Sequence, residues 1–268
     1  MSCENGIPYG EGPVTDAVSA LITEIKNKNY EAKNVNSDVV DRAKDVIDFM
    51  LDKGYPIEVG ISFAGVWAAE SRIETWSYNK SEQSNGFAFR NVTRDKAESF
   101  VIAGETYYKD QAGMMSFGYG KGMAQWSWDR NIKFREWYNS GAEGHKTSGL
   151  PTMDHFAANI TATTVDTQTA YAWYEMRHRT GEFMGVLNSL KSSPATTEEE
   201  FNVNVTRGVD AVLRGFENGG PSKMASTSQI DKYKWCNGYE GAMKTRMENA
   251  LGIAQAVKND YPQLSYLS

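Results

Sequence analysis

Ile57-Glu58-Val59-Gly60-Ile61-Ser62-Phe63-Ala64-Gly65-Val66-Trp67-Ala68-Ala69-Glu70-Ser71 reads as a helix that is apolar almost all the way round, and a helix of that kind has to be buried. Its longest apolar run, Val59 to Ala69, is interrupted by Ser62 and closed by Glu58 and Glu70, well short of the roughly 20 residues that cross a bilayer. The ending of this helix matters most. An acid emerging from an apolar helix end is desolvated and tends to keep its proton, and the partial negative charge of a helix C-terminus acts in the same direction. A protonated Glu70 against the indole of Trp67 is what a general acid for glycoside cleavage requires. On position alone the commoner reading is a salt bridge, with Arg72 or Arg130 as partner.

Working outward, the spacing of Val39, Ala43, Val46, Ile47, Met50 and Leu51 predicts the preceding helix, with Ser37 as N-cap and Gly54 as its stop. Before it lie a loose lead-in over residues 1–13, a helical pattern over Val14 to Asn29 and an Asn-rich linker over Asn27 to Asn36. Residues 1–36 are therefore expected to form an N-terminal lead-in and helix, and residues 37–268 the main domain. After the apolar helix, 73–92 read as loop and 93–103 as a short helix. The glycine-punctuated aromatics from Gly104 to Trp126 predict a small hairpin, the one β element of the chain. Helices follow from Ser127 to Gly141, at 167–180, at 182–191, at 197–217 and at 238–259. Thr196-x-x-Glu199 and Thr197-x-x-Glu200 both fit a capping box for the fourth of these. The expected fold is mainly α, with one small β insert.

Composition narrows the function classes. The chain has 268 residues, 28 Lys+Arg against 34 Asp+Glu and a formal charge of −6, a balance that argues against nucleic acid as a partner. An apolar fraction of 40 % with 12 % aromatics excludes a disordered chain. Cys3 and Cys236 make no disulfide framework, and the first residues lack the pattern of a signal peptide, so folding in a reducing cytoplasm without membrane insertion is expected. His145, His155 and His178 give no metal motif, and the single Glu175-x-x-His178 lacks the second copy that a di-iron site needs. Gly118-x-Gly120-x-Gly122 has neither the lead-in strand of a dinucleotide fingerprint nor the lysine of a P-loop. No Gly-x-Ser-x-Gly elbow occurs. Carboxylate chemistry remains, with no metal and no organic cofactor expected.

Trp67-Ala68-Ala69-Glu70-Ser71 followed by Gly118-Tyr119-Gly120-x-Gly122-Met123-Ala124-Gln125-Trp126 resembles the lysozyme superfamily, and within it the phage tail lysozyme family. Two further segments resemble that family in the same order: Thr167 to Met176, its "Gln…Phe-x-Trp-x-Glu-Leu" helix, and Gly215-Phe216-Glu217-Asn218, its "Phe-Glu-Arg-Pro" stop; Arg246 matches a later helix arginine. The resemblance runs from about Ser37 to Val257. It departs at Gly65 to Ala69, where Gly-Asn usually approaches the glutamate, and at Asn218-Gly219, where Arg-Pro is common.

The resemblance implies a lysozyme-like helical domain with a small β-hairpin lining a substrate cleft, and an enzyme that cleaves the glycan strands of peptidoglycan. It makes Glu70 the general acid. Gln125 is expected to face substrate or to shape the hairpin, and Tyr119 lies beside it in the same motif as a substrate contact. Trp76 and Trp126 are candidate sugar-stacking platforms, ordinary packing being the alternative. Glu217 is expected either at the cleft floor or orienting the catalytic helix through a buried hydrogen bond. A second carboxylate would come from Glu74, Asp95, Glu98, Glu105 or Asp110. Without one, a lytic transglycosylase, in which the sugar's own hydroxyl attacks, replaces the hydrolase. The implied setting is a bacteriophage virion that opens the host wall locally for genome delivery, with tail or inner-core proteins as partners. A lysis enzyme and a catalytically silent structural component are the alternatives.

Overall fold

The computed structural model describes residues 16–75, 99–102, 105–108, 122–126, 128–141, 163–178, 181–217 and 240–268. The chain divides into two compact units, one made of Met1–Arg72 with Trp173–Ser268 and the other of Ile73–Ala172.

The first unit is a helical assembly. Helix α1 is Asp16–Asn27, α2 Ser37–Asp52 and α3 Ile57–Ser71. Of the apolar positions read from the sequence of α2, Val39, Ala43, Val46, Ile47 and Met50 are buried, and Leu51, in the last turn, is half-buried. Its N-cap is Asn36 rather than Ser37: the Asn36 side chain accepts from the Val39 N–H, a bond that Asn at the residue before the first helical turn makes well. Gly54, at φ +75°, closes the helix by donating to the Leu51 carbonyl.

Helix α3 is buried from Ile57 to Ala68, as its sequence requires. It can be surrounded because small residues let neighbours reach its backbone. A Cβ on Gly60 would come within 2.8 Å of the Ile47 Cα in α2, and one on Gly65 within 2.5 Å of the Ala250 Cβ. Its one buried charge is Glu58, which accepts from the Ala195 N–H at 2.6 Å and from Asn204 Nδ2 at 3.2 Å.

The strands β1 Ser99–Ile102 and β2 Glu105–Tyr108 belong to the second unit and pair antiparallel, Ser99 opposite Tyr108 and Ile102 opposite Glu105. A helix was expected over 93–103; Phe100-Val101-Ile102 instead supplies the aromatic and β-branched residues that fit a pleated strand. Most of the hairpin expected over Gly104 to Trp126 lies outside the described residues. Helix α4, Trp128–Ser140, and the first half of α5, Val165–Arg177, complete the described part of this unit.

The chain returns to the first unit through the end of α5, then α6 Gly181–Ser192, α7 Glu198–Ala211 and α8 Glu240–Val257, with a 3₁₀ turn at Pro262–Leu264. The start of α7 uses the second capping register. Thr197 accepts from the Glu200 N–H, while the Glu200 carboxylate accepts from both the N–H and the hydroxyl of Thr196. The single helix expected over 197–217 is α7 followed by a π-helical segment, Val212–Glu217. Gly208 of α7 lies against Ser62 of α3 with no room for a Cβ. Trp173 is half-buried, with the Arg177 guanidinium 3.6 Å and the Lys53 ammonium 4.7 Å from its ring centroid.

Helix α1 is tied to α8: Glu24 accepts from Lys244 and from Lys28, each at 2.6 Å, and Ile25 is buried. Lys26 pairs with Glu198 at the start of α7. Among the described residues no helix is long and apolar enough to cross a membrane.

Gly65→Ala should lower stability by about 1–3 kcal/mol, since the new Cβ meets the backbone of Ala250 rather than a movable side-chain tip; urea unfolding of the two proteins measures it. A second outcome concerns pH. The hydrogen bonds from Lys244 and then Lys28 hold the Glu24 carboxyl down at about 2, against an ordinary 4.5. A depressed carboxylate contributes stability above its unfolded value and loses it as pH falls through the folded one. The stability gap between the protein and Glu24→Gln should therefore be constant above pH 4.5 and close as pH approaches 2. It should be small and should shrink with salt, because Glu24 is exposed.

Candidate active site

Glu70 occupies the last turn of α3. The helix stops there on two successive residues in the left-handed region, Arg72 at φ +58° and Ile73 at φ +57°. For a β-branched residue that backbone is an outlier held by its surroundings, and such strain concentrates at functional sites. Arg42 fixes the stop by donating to the Arg72 carbonyl from Nη2 at 3.0 Å and from Nε at 3.3 Å.

The Glu70 carboxylate is not a lone acid in an apolar setting, as the helix end predicts. Arg246 Nη2 of α8 donates to its Oε1 in an ion pair. The two side chains keep 15 % (Arg246) and 23 % (Glu70) of their exposure, so the pair is sheltered yet reachable from solvent. The partner on α8 is not one of the two named from the sequence. Arg72 is exposed beyond the helix stop, and Arg130 belongs to the second unit. The Trp67 indole turns elsewhere too. It is fully buried, its ring centroid 5.1 Å from that of Phe63 and 6.0 Å from that of Phe216. Its Nε1–H donates to Glu217 Oε1 at 3.0 Å.

That bond gives Glu217 its observed place. The π-helical segment at the end of α7 brings Phe216 and Glu217 against α3, where the carboxylate holds an indole one turn before Glu70. Widened turns of this kind recur at functional sites. Of the hydrogen bonds that could tie Glu217 to the catalytic helix, the one observed is to the Trp67 indole.

In the second unit, Trp126 is fully buried. Its ring lies 5.1 Å from Phe134 and 5.6 Å from Tyr171, and the latter two stack at 4.4 Å and 6°. An indole enclosed in this way has no open face for a sugar, so the stacking expected of Trp126 is replaced by packing. Gln125, at φ +49° and half-buried, donates from Nε2 to the Gly122 carbonyl at 2.8 Å. Its amide thus closes the turn that carries it, and Gly122 supplies φ +74° at no steric cost. Tyr119 and Trp76 lie outside the described residues.

The buried Gln168 of α5 enters the sequence reading only as part of a motif, with no role assigned to it. Its Oε1 accepts from the Met123 N–H at 2.8 Å and its Nε2 donates to the Thr75 carbonyl at 3.1 Å. It thereby ties the turn at 122–126 to the segment that follows α3. Its sequence signal was a polar residue at a core position of a helix, Thr167-Gln168-Thr169 before Ala170-Tyr171, which implies buried partners.

Among the acids considered as second carboxylate, Glu74 is half-buried just past the helix stop. Glu105 is the first residue of β2. Asp95, Glu98 and Asp110 lie outside the described residues. Among the described residues no cluster of three or more His, Cys, Asp or Glu is placed to hold a metal.

A mainly helical chain with an acid at the exit of a buried helix fits the lysozyme-like class. The model of the phage tail lysozyme family matches residues 41–261, and the chain belongs to that family. Membership gives it a lysozyme-like role with peptidoglycan as the substrate and a phage context. No curated protein and no solved structure matches the chain.

Gln168→Leu should destabilise the protein by roughly 2–4 kcal/mol, because it strands the Met123 N–H and the Thr75 carbonyl in a buried site. Denaturant unfolding followed by tryptophan fluorescence reads the change.

Proposed function

We propose that this protein is a virion-associated enzyme that cuts the glycan strand of peptidoglycan, with Glu70 as its general acid. The observation that carries the reading is the setting of Glu70: a partly exposed carboxylate at the strained exit of the most buried helix, held from one side by α8. In this mechanism Glu70 delivers a proton to the glycosidic oxygen while the C1–O bond breaks and oxocarbenium character develops on the sugar. Water, or a hydroxyl of the sugar itself, then completes the cleavage. The Arg246 guanidinium occupies one carboxylate oxygen, leaving the other to meet the glycosidic oxygen. The hairpin-lined cleft and the sugar contacts of Gln125, Tyr119 and Trp76 belong to this proposal, as does a location in the tail or inner core with virion proteins as partners. Glu217 enters it as a residue that orients α3.

One observation favours a second reading, a catalytically silent lysozyme-like component of the virion. Glu70 is ion-paired, and a carboxylate paired with arginine at a helix end is also a common structural device.

Release of muropeptides from purified peptidoglycan separates the two. The protein should release fragments and Glu70→Gln should lower the rate by at least about 100-fold, within the range that a positioned proton donor contributes. Mass analysis of the ends names the chemistry: reducing ends for a hydrolase, anhydro ends for a transglycosylase. No release by the folded wild-type protein would overturn the enzymatic reading and leave the structural one.

A further inference from the structure

We propose that Arg246 is a positioning residue for the reaction, holding the Glu70 carboxylate in the one orientation from which its proton can be delivered. The inference rests on the reading of Glu70 as general acid and adds to it a specific cause for the acid's geometry.

Three observations carry it. The first is the pair itself, Arg246 Nη2 on Glu70 Oε1, sheltered on both sides. A charge-assisted hydrogen bond from a guanidinium anchors the carboxylate oxygen that accepts it. The second is the rigidity of the base on which Arg246 stands. Ala250, one turn further along α8, touches the α3 backbone at Gly65, where not even a methyl group fits. Asn249 lies beside the same point, with Nδ2 3.4 Å from the Gly65 carbonyl, and Met243, Met247 and Ala250 are fully buried. Arg246 and Glu70 are thus fixed to two helices that cannot slide past each other. The third is one turn before Glu70 on α3, where the Trp67 indole donates to Glu217 and so ties this end of the helix to the π-helical segment.

Rigid placement of this kind is what proximity catalysis demands, since a displacement of about 1 Å can cost about 100-fold in rate. The proton leaves Glu70 for the glycosidic oxygen, and the carboxylate left behind meets a guanidinium already in contact. Arg246 itself neither gains nor loses a proton.

The test compares Glu70→Gln, Arg246→Gln and Arg246→Lys on purified peptidoglycan, with rates referred to folded protein by circular dichroism. Arg246→Gln should lower kcat by about 10- to 100-fold with KM changed less than about threefold, the pattern of an interaction that matters in the transition state alone. Arg246→Lys, which keeps the charge without the planar guanidinium, should recover part of kcat. A merely structural pair would lower the melting temperature and leave kcat of the folded molecules at the wild-type value. Inactive Glu70→Gln beside fully active Arg246→Gln would overturn the role of Arg246 alone, whereas an active Glu70→Gln would overturn both readings. Should the Arg246 variants not fold, nitrogen NMR of the arginine side chains decides. The Arg246 guanidinium should be rotationally hindered in the wild type and freed in Glu70→Gln, and identical signals in the two would overturn the proposal.

Discussion

Helix α3 is packed at backbone distance by three neighbours, and the first unit of the protein is arranged around that constraint. Gly60 admits Ile47 of α2, Gly65 admits Ala250 of α8, and Gly208 on α7 lets Ser62 of α3 in. Dispersion between close-packed helices is individually weak and collectively large, and it is lost steeply when a gap opens. Glycine at these contacts therefore costs some helix propensity and gains a tighter core. The polar groups that enter with it are satisfied: the Ser62 hydroxyl donates to the Glu58 carbonyl at 2.6 Å, and the Glu58 carboxylate receives its two neutral donors.

The same constraint sets up the candidate site. A helix gripped along its length delivers its last turn to a fixed place, and Glu70 is on that turn. Two further contacts define the turn, the Arg246 pair from α8 and the Glu217 bond to Trp67 from the π-helical end of α7. The second depends on a local departure from regular helix. An uninterrupted α7 would carry Phe216 and Glu217 round the axis to another direction, whereas the wider π turns bring them onto α3. Regular helix is given up at this segment, and widened turns of this kind are frequent at functional sites.

Where local chemistry dominates, the sequence was a sound guide. The apolar spacing of α2 and the apolarity of α3 predicted burial that is observed at every position but Leu51 and Ala69, each in the last turn of its helix, because such faces have no other stable environment. The glycine stop at Gly54 and the threonine caps before α7 are likewise local, each settled by one or two hydrogen bonds. The misreadings came from competition between neighbours of similar merit. Asn36 and Ser37 are both good caps, and the register is decided by which side chain reaches the Val39 N–H. Residues 93–103 read as a short helix, and the antiparallel partner at Glu105–Tyr108 takes four of them into a strand.

The sequence by itself determined that this chain is a helical protein built around one buried helix, that an acid stands at that helix's exit, and that its ordered motifs are those of a phage tail lysozyme. Periodicity, capping and motif order are properties of short stretches, so they can be read without coordinates. Tertiary structure alone decided what meets the acid. Arg246 lies 176 residues from Glu70 and Glu217 lies 150 from Trp67, and at such separations no local rule chooses among the arginines and carboxylates on offer. It also decided that Trp126 is enclosed by Phe134 and Tyr171, and that Gln168 spends both ends of its amide on backbone groups. An indole and an amide carry the same chemistry whether they face a sugar or the core; only the packing around them says which.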